Sequence, residues 1–306
     1  MVHFKRHPQY LSKWLLFALL FFLFLLQACS KKGIIVPAVT DTPTGTYHTG
    51  KFVWFDLLTN DVEAVKTFYG ELFGWKFENG ADANSPYTLV KHNGKSIGGI
   101  VYWEPKQKNV NETQWISYLS VPDVDSATEF VKNNGGIIHR EPRSLSNRGR
   151  YSVVADPQGA VLALLRSDTG DPVDKKPLEG EWVWNELFTS DDLAAVSFYH
   201  KLVGYEFEKT MVGKKRDYYV LSRNGKYYAG ILKSPWEDVA PNWLPYVLVN
   251  NPKELVEKVK KLGGQVLFEP NEKVRNGSVA IIADPTGGAL AIQKWPYEEN
   301  RGETKQ

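Results

Sequence analysis

One stretch of this chain occurs twice, and that repeat limits what the chain can fold into more than any other feature. Gly50 to Glu78 reads GKFVWFDLLTNDVEAVKTFYGELFGWKFE, and Gly180 to Glu208 reads GEWVWNELFTSDDLAAVSFYHKLVGYEFE. Laying Trp54 on Trp184 superposes Val53, Leu57, Thr59, Asp61, Ala64, Phe68, Tyr69, Leu72, Gly74, Phe77 and Glu78 on identical residues without a gap. Self-similarity of this extent marks two copies of one structural unit. A length of 306 residues suits about two domains.

Inside the first copy, Phe52 to Leu58 has the aromatic and aliphatic make-up of a strand. Asn60 or Asp61 then caps a helix that carries Val62, Val65, Tyr69, Leu72 and Phe73 on one face, and Gly74 ends it. Asn93-Gly94 and Asn224-Gly225 each separate two strand-like runs, a strong hairpin signal. A second half follows in each copy. It holds a strand from Trp115 or Trp243, a helix closed by Gly135-Gly136 or Gly263-Gly264, and an Asp-Pro-x-Gly turn at Asp156 or Asp284. The expectation is an α+β fold of two tandem domains, 50–167 and 180–297, joined by a linker at 168–179 and followed by a tail at 298–306. Each domain is expected to contain two β-α-β-β-β modules and to fold largely alone.

The strand, Asp cap, Phe-Tyr helix, Leu-Phe-Gly-Trp exit and Asp-Pro-x-Gly turn together resemble the vicinal oxygen chelate superfamily. That group includes glyoxalase I, bleomycin-resistance proteins and extradiol dioxygenases. The resemblance implies sheets curled around a pocket. It also implies a divalent metal held by His, Gln or Glu at set strand positions. Those positions fall on Trp54, Trp115-Ile116 and Ala163 in the first copy, and on Trp184, Trp243-Leu244 and Ala291 in the second. Indole and alkyl groups do not ligate such a cation. None of the six His recurs between the copies, and each reads as a surface or satisfied side chain. No cofactor is therefore expected, a divalent metal being the alternative.

The candidate ligand-binding residues are Trp54, Asp56, Trp115, Trp184, Glu186 and Trp243. The indoles either pack in a core or wall a pocket for a planar or cationic small molecule. Asp56 and Glu186 share a strand face with Trp54 and Trp184. They either pair with a nearby Arg or Lys, Arg150 and Arg275 being the plausible partners, or anchor a polar group of the ligand. Three functions stay open: a metal-free small-molecule binder, a lyase, isomerase or dioxygenase with non-standard site residues, and an envelope interaction module. There is no nucleotide-binding glycine motif or nucleophile elbow. A net charge of +2 gives no support for nucleic acid as a partner.

The N-terminus carries Lys5, Arg6 and Lys13, then an uncharged run from Trp14 to Leu26. At 1.5 Å per residue the run reaches about 20 Å, short of a bilayer core of ~30 Å. With Ala28-Cys29-Ser30 after it, the segment resembles a bacterial lipoprotein signal, 1–28, cut before Cys29, the only Cys in the chain. That resemblance implies acylation of Cys29, a tether at 29–49, and a place in the cell envelope, at the outer membrane if the host is Gram-negative.

Overall fold

A computed structural model describes residues 36–79, 86–104, 113–212 and 216–295. Cys29, the apolar run before it and the tail from 298 lie outside these residues.

The first repeat unit forms one eight-stranded sheet. Its strands are β1 (Phe52–Thr59), β2 (Lys76–Asn79), β3 (Tyr87–His92), β4 (Lys95–Tyr102), β5 (Gln114–Ser120), β6 (Ile137–Leu145), β7 (Gly149–Ala155) and β8 (Val161–Ser167), in the order β2-β3-β4-β1-β5-β8-β7-β6. Helix α1 (Val62–Phe73) follows β1, and α2 (Val124–Asn133) follows β5. The second unit repeats the plan. It holds β9 (Trp182–Thr189), α3 (Asp192–Val203), β10 (Glu206–Val212), β11 (Arg216–Arg223), β12 (Lys226–Lys233), β13 (Asn242–Leu248), α4 (Pro252–Lys261), β14 (Gln265–Phe268), β15 (Val279–Ala283) and β16 (Ala289–Gln293), in the order β10-β11-β12-β9-β13-β16-β15-β14. Both sheets curl, and the α+β tandem fold expected from the repeat is the one observed.

Local chemistry sets the element ends. Asp61, Asp123, Asp191 and Asn251 each accept a backbone N–H from the first turn of their helix. Asn93 and Gly94 both take positive φ, 48° and 74°, as does the pair Asn224 and Gly225. This backbone matches the twist of a two-residue hairpin. In each sheet, the modules meet where the first strand runs antiparallel to the fifth, β1 on β5 and β9 on β13.

The cores depart from the expectation of two self-sufficient domains. Strand alternation gives each sheet an inner face and an outer face that carries the helices. The outer faces share two cores between the domains. One joins Leu57, Phe68 and Trp75 of the first module to Val256, Ile282 and Ile292 of the fourth. The other joins Val131 and Leu162 of the second module to Phe198 and Ile231 of the third. Rings cross the boundary in both, Trp75 with Trp182 at 5.3 Å and Phe130 with Phe198 at 5.6 Å between centroids. The helices are only 10–12 residues long, and each leaves apolar surface that its own sheet does not cover. The sister domain covers it.

Candidate functional site

Each sheet closes its inner face around five matched side chains, a Trp, an acid, two Tyr and an Arg. In the first sheet, Trp54 and Asp56 project from β1, Tyr87 from β3 and Tyr118 from β5, while Arg148 stands just before β7. Asp56 Oδ1 accepts from Trp54 Nε1 and from the Tyr87 hydroxyl, each at 2.8 Å, and Oδ2 accepts from the Tyr118 hydroxyl at 2.7 Å. Arg148 Nη2 donates to the Tyr87 oxygen at 2.9 Å. The guanidinium carbon lies 4.2 Å from the Trp54 ring centroid. A desolvated contact of that kind is worth about 2 kcal/mol. Arg148 is only 1% exposed. Burial works against its charge, but the surrounding oxygens of Tyr87, Asp56 and Tyr118 outweigh it and hold its pKa above the ordinary value. Burial pushes the Tyr87 and Tyr118 hydroxyls far up, so they serve as donors and not as bases.

The second sheet rebuilds the cluster from Trp184, Glu186, Tyr218, Tyr246 and Arg275. Arg275 Nη2 meets Glu186 Oε1 at 2.5 Å, and the Tyr246 hydroxyl donates to Glu186 Oε2. Trp184 Nε1 donates to the Tyr218 oxygen at 2.9 Å. Burial opposes the Arg275 charge as well, and the facing Glu186 carboxylate keeps its pKa well above the usual range. The longer Glu side chain takes the arginine directly, whereas Asp56 is joined to Arg148 through Tyr87.

A glycine makes room for each cluster. A Cβ on Gly99 would lie 2.0 Å from the Tyr87 hydroxyl oxygen and 2.5 Å from Asp56 Oδ1, and one on Gly230 would lie 1.9 Å from the Tyr218 oxygen. No side chain fits there without breaking the hydrogen bonds.

The two inner faces differ in access. In the first, Trp54 is 1% exposed, and Val39 from the segment before the sheet packs into it. In the second, Trp184 and Trp236 are partly exposed, and Trp295 leans on Trp184 at 5.4 Å. Trp236 also sits against Phe188 and Phe268. This face is a bowl with aromatic walls and a satisfied polar floor.

Three of the sequence-based assignments need correction. Trp115 and Trp243 point to the outer faces, into the shared cores, because one residue of strand separates them from the inner-facing Ile116 and Leu244. Their indole N–H groups donate to Tyr69 and Tyr199. Arg150 is not the partner of Asp56. It lies at the surface with Asp125, and Arg148 takes that part. Arg275 is the partner of Glu186. The carboxylates are also not free to hold a ligand's basic group, since each is already surrounded by donors. The tyrosines escaped the sequence reading, although a signal was present: Tyr118 and Tyr246 stand at matched places in their strands, and Tyr87 and Tyr218 open or nearly open theirs.

The positions that would supply metal donors are Trp54, Ile116 and Ala163 on one inner face and Trp184, Leu244 and Ala291 on the other, and these side chains do not fit a divalent cation. Among the described residues, no three His, Cys, Asp or Glu converge.

Comparison with known proteins agrees with the fold. Residues 51–164 match the family model of the Glyoxalase/Bleomycin resistance protein/Dioxygenase superfamily. The chain is 28% identical over 250 residues to "Putative glyoxylase CFP32" of Mycobacterium bovis, covering 81% of this chain and 96% of that protein. It is 27% identical over 274 residues to the anthracycline biosynthesis protein DauV of Streptomyces sp. strain C5, covering 80% and 94%. Among solved structures, the Mn(II)-bound glyoxalase of Novosphingobium aromaticivorans superposes with a TM-score of 0.57 at 16% identity, covering 80% and 82%.

Proposed function

We propose that this chain, whose residues 51–164 form a domain of the Glyoxalase/Bleomycin resistance protein/Dioxygenase superfamily, binds a planar aromatic small molecule in its second bowl without a divalent metal. The observation that carries this reading is the wall of partly exposed indoles, Trp184, Trp236 and Trp295, above a floor whose charges are already paired. Indole faces take flat ring systems by offset stacking. A neutralised floor offers no net charge to a ligand, so the site favours flat, uncharged rings over cations. The relative named for anthracycline biosynthesis belongs with compounds of fused planar rings, which supports the same ligand class. As a further part of the proposal, Cys29 is acylated and tethers the bowl to the cell envelope.

The test is titration of the full chain with a hydroxyanthraquinone, read by quenching of tryptophan emission and by calorimetry. Saturable binding at one ligand per chain is expected, weakened about tenfold or more by Trp184→Ala. Binding that is absent, or that needs added Mn, Zn or Fe, overturns the reading.

A further inference from the structure

The first bowl has the floor of the second and a different content. Residues 36–41 lie against it as a strap that bends from Val39 on. Val36 and Val39 are 5% and 2% exposed, and Val39 packs with Trp54, Tyr118 and Tyr151. Between them, the Pro37 carbonyl accepts from Arg148 Nε at 2.7 Å. At the rim, Asp41 takes the Ser96 backbone N–H and hydroxyl, and the Thr40 hydroxyl donates to Thr169. Val39 is seated among the aromatic side chains of the inner face, Val36 three residues earlier is buried, and the Pro37 carbonyl between them meets the buried cation of the floor. A docked peptide is held in this way, by a side chain in an apolar pocket and by its main chain. Arg275 has no counterpart to this contact among its described hydrogen bonds, which go to Glu186 and Gln293.

The geometry points to the first bowl as a peptide-binding site for a Val-Pro-x-Val segment, filled in cis by residues 36–39. This does not rest on the ligand assigned to the second bowl. Its physical content is that the strap is an occupant and not a strand of the core: it is outside both sheets, and the Asp56, Tyr87 and Tyr118 hydrogen bonds close without it. A tethered occupant acts at an effective concentration on the order of millimolar, so the intact chain excludes a competing peptide.

The test uses the full chain carrying V36D and V39D, which drives the strap out, and a fluorescein-labelled synthetic peptide of residues 33–42. Anisotropy should show one-to-one binding to the variant, at least a hundredfold weaker binding to the parent chain, and at least tenfold weaker binding when Arg148→Met is added. A variant that keeps its sheet but ignores the peptide overturns the proposal. The milder V39S variant guards against global unfolding. Hydrogen exchange at residues 36–41 should accelerate there while β1 and β5 stay protected. If strap and sheet lose protection together, the strap is part of the core and the proposal fails.

Discussion

Removing one hydroxyl, with Tyr69→Phe, should destabilise both domains at once. Tyr69 stands on α1 in the first domain. Its hydroxyl donates to Asp284 Oδ2 in the second at 2.9 Å and accepts from Trp115 Nε1 at 3.1 Å. Burial raises the pKa of Asp284, and its Oδ1 is held separately by Thr286 and Gly288. The substitution therefore orphans one carboxylate oxygen and one indole N–H in a dry core. Each orphan costs roughly 1–3 kcal/mol, so a loss of about 3 kcal/mol is expected. For a unit of this size that is a fall in Tm of about 6–10 °C. The assay is urea unfolding of the full chain with hydrogen exchange resolved by strand. One transition should move as a whole, and β15 and β16 should lose protection although the substitution lies in α1. A loss below about 0.5 kcal/mol, or a first domain that melts alone while β15 and β16 stay protected, would refute the idea of shared cores.

Three further outcomes follow from the same geometry. Expressed separately, spans 36–170 and 176–306 should each lack a cooperative transition and should gain one on mixing; cooperative unfolding of either alone counts against the crossed cores. Gly99→Ala or Gly230→Ala should cost about 3 kcal/mol through overpacking and broken floor hydrogen bonds, read by chemical denaturation, and only Gly230→Ala should weaken binding in the second bowl. Burial raises the pKa of Asp174, but Lys226 and Lys51 outweigh it and hold it down at about 2. Its contribution is then present above the ordinary carboxylate pKa of about 3.9 and is lost as pH falls toward about 2. Solvent screening limits it to about 1 kcal/mol; the stability gap between parent and Asp174→Asn should close over that window, and a gap independent of pH would contradict the pairing.

The sequence carried the element pattern because caps, hairpins and alternation are local. Asp61, Gly74 and Asn93-Gly94 act within a few residues of themselves, and each does in the structure what its type requires. The partners of Asp56 were not legible in the same way. They arrive from β3, β5 and the turn before β7, so their meeting depends on sheet order and register. Arg148 and Arg275 stand at unequal spacings from their Asp-Pro turns, which is why the more obvious Arg150 stood in for Arg148. Trp115 shows the sharpest limit: a single residue of register decides between pocket and core, and the aromatic composition of β5 is the same either way.

The crossed pairing also explains why the repeat is strongest at Trp54 to Glu78 and Trp184 to Glu208. These segments bear on both faces. Trp54 and Trp184 build the inner floors, while Phe68, Tyr69, Phe198 and Tyr199 build the shared cores. Tyr69 reaches Asp284, and Tyr199 reaches Asp156 at 3.0 Å, so each helix tyrosine completes the Asp-Pro turn of the other domain. A change on one side of either contact leaves a buried partner unmatched on the other, which holds the two copies to one pattern there. The rims lie outside that constraint. One copy has taken up a strap through Arg148 and Pro37, and the other has set Trp295 on Trp184 and Trp236 on Phe188 and Phe268. Divergence of ligand access with a common floor is the expected result when the floor and the interface share their strands and the rims do not.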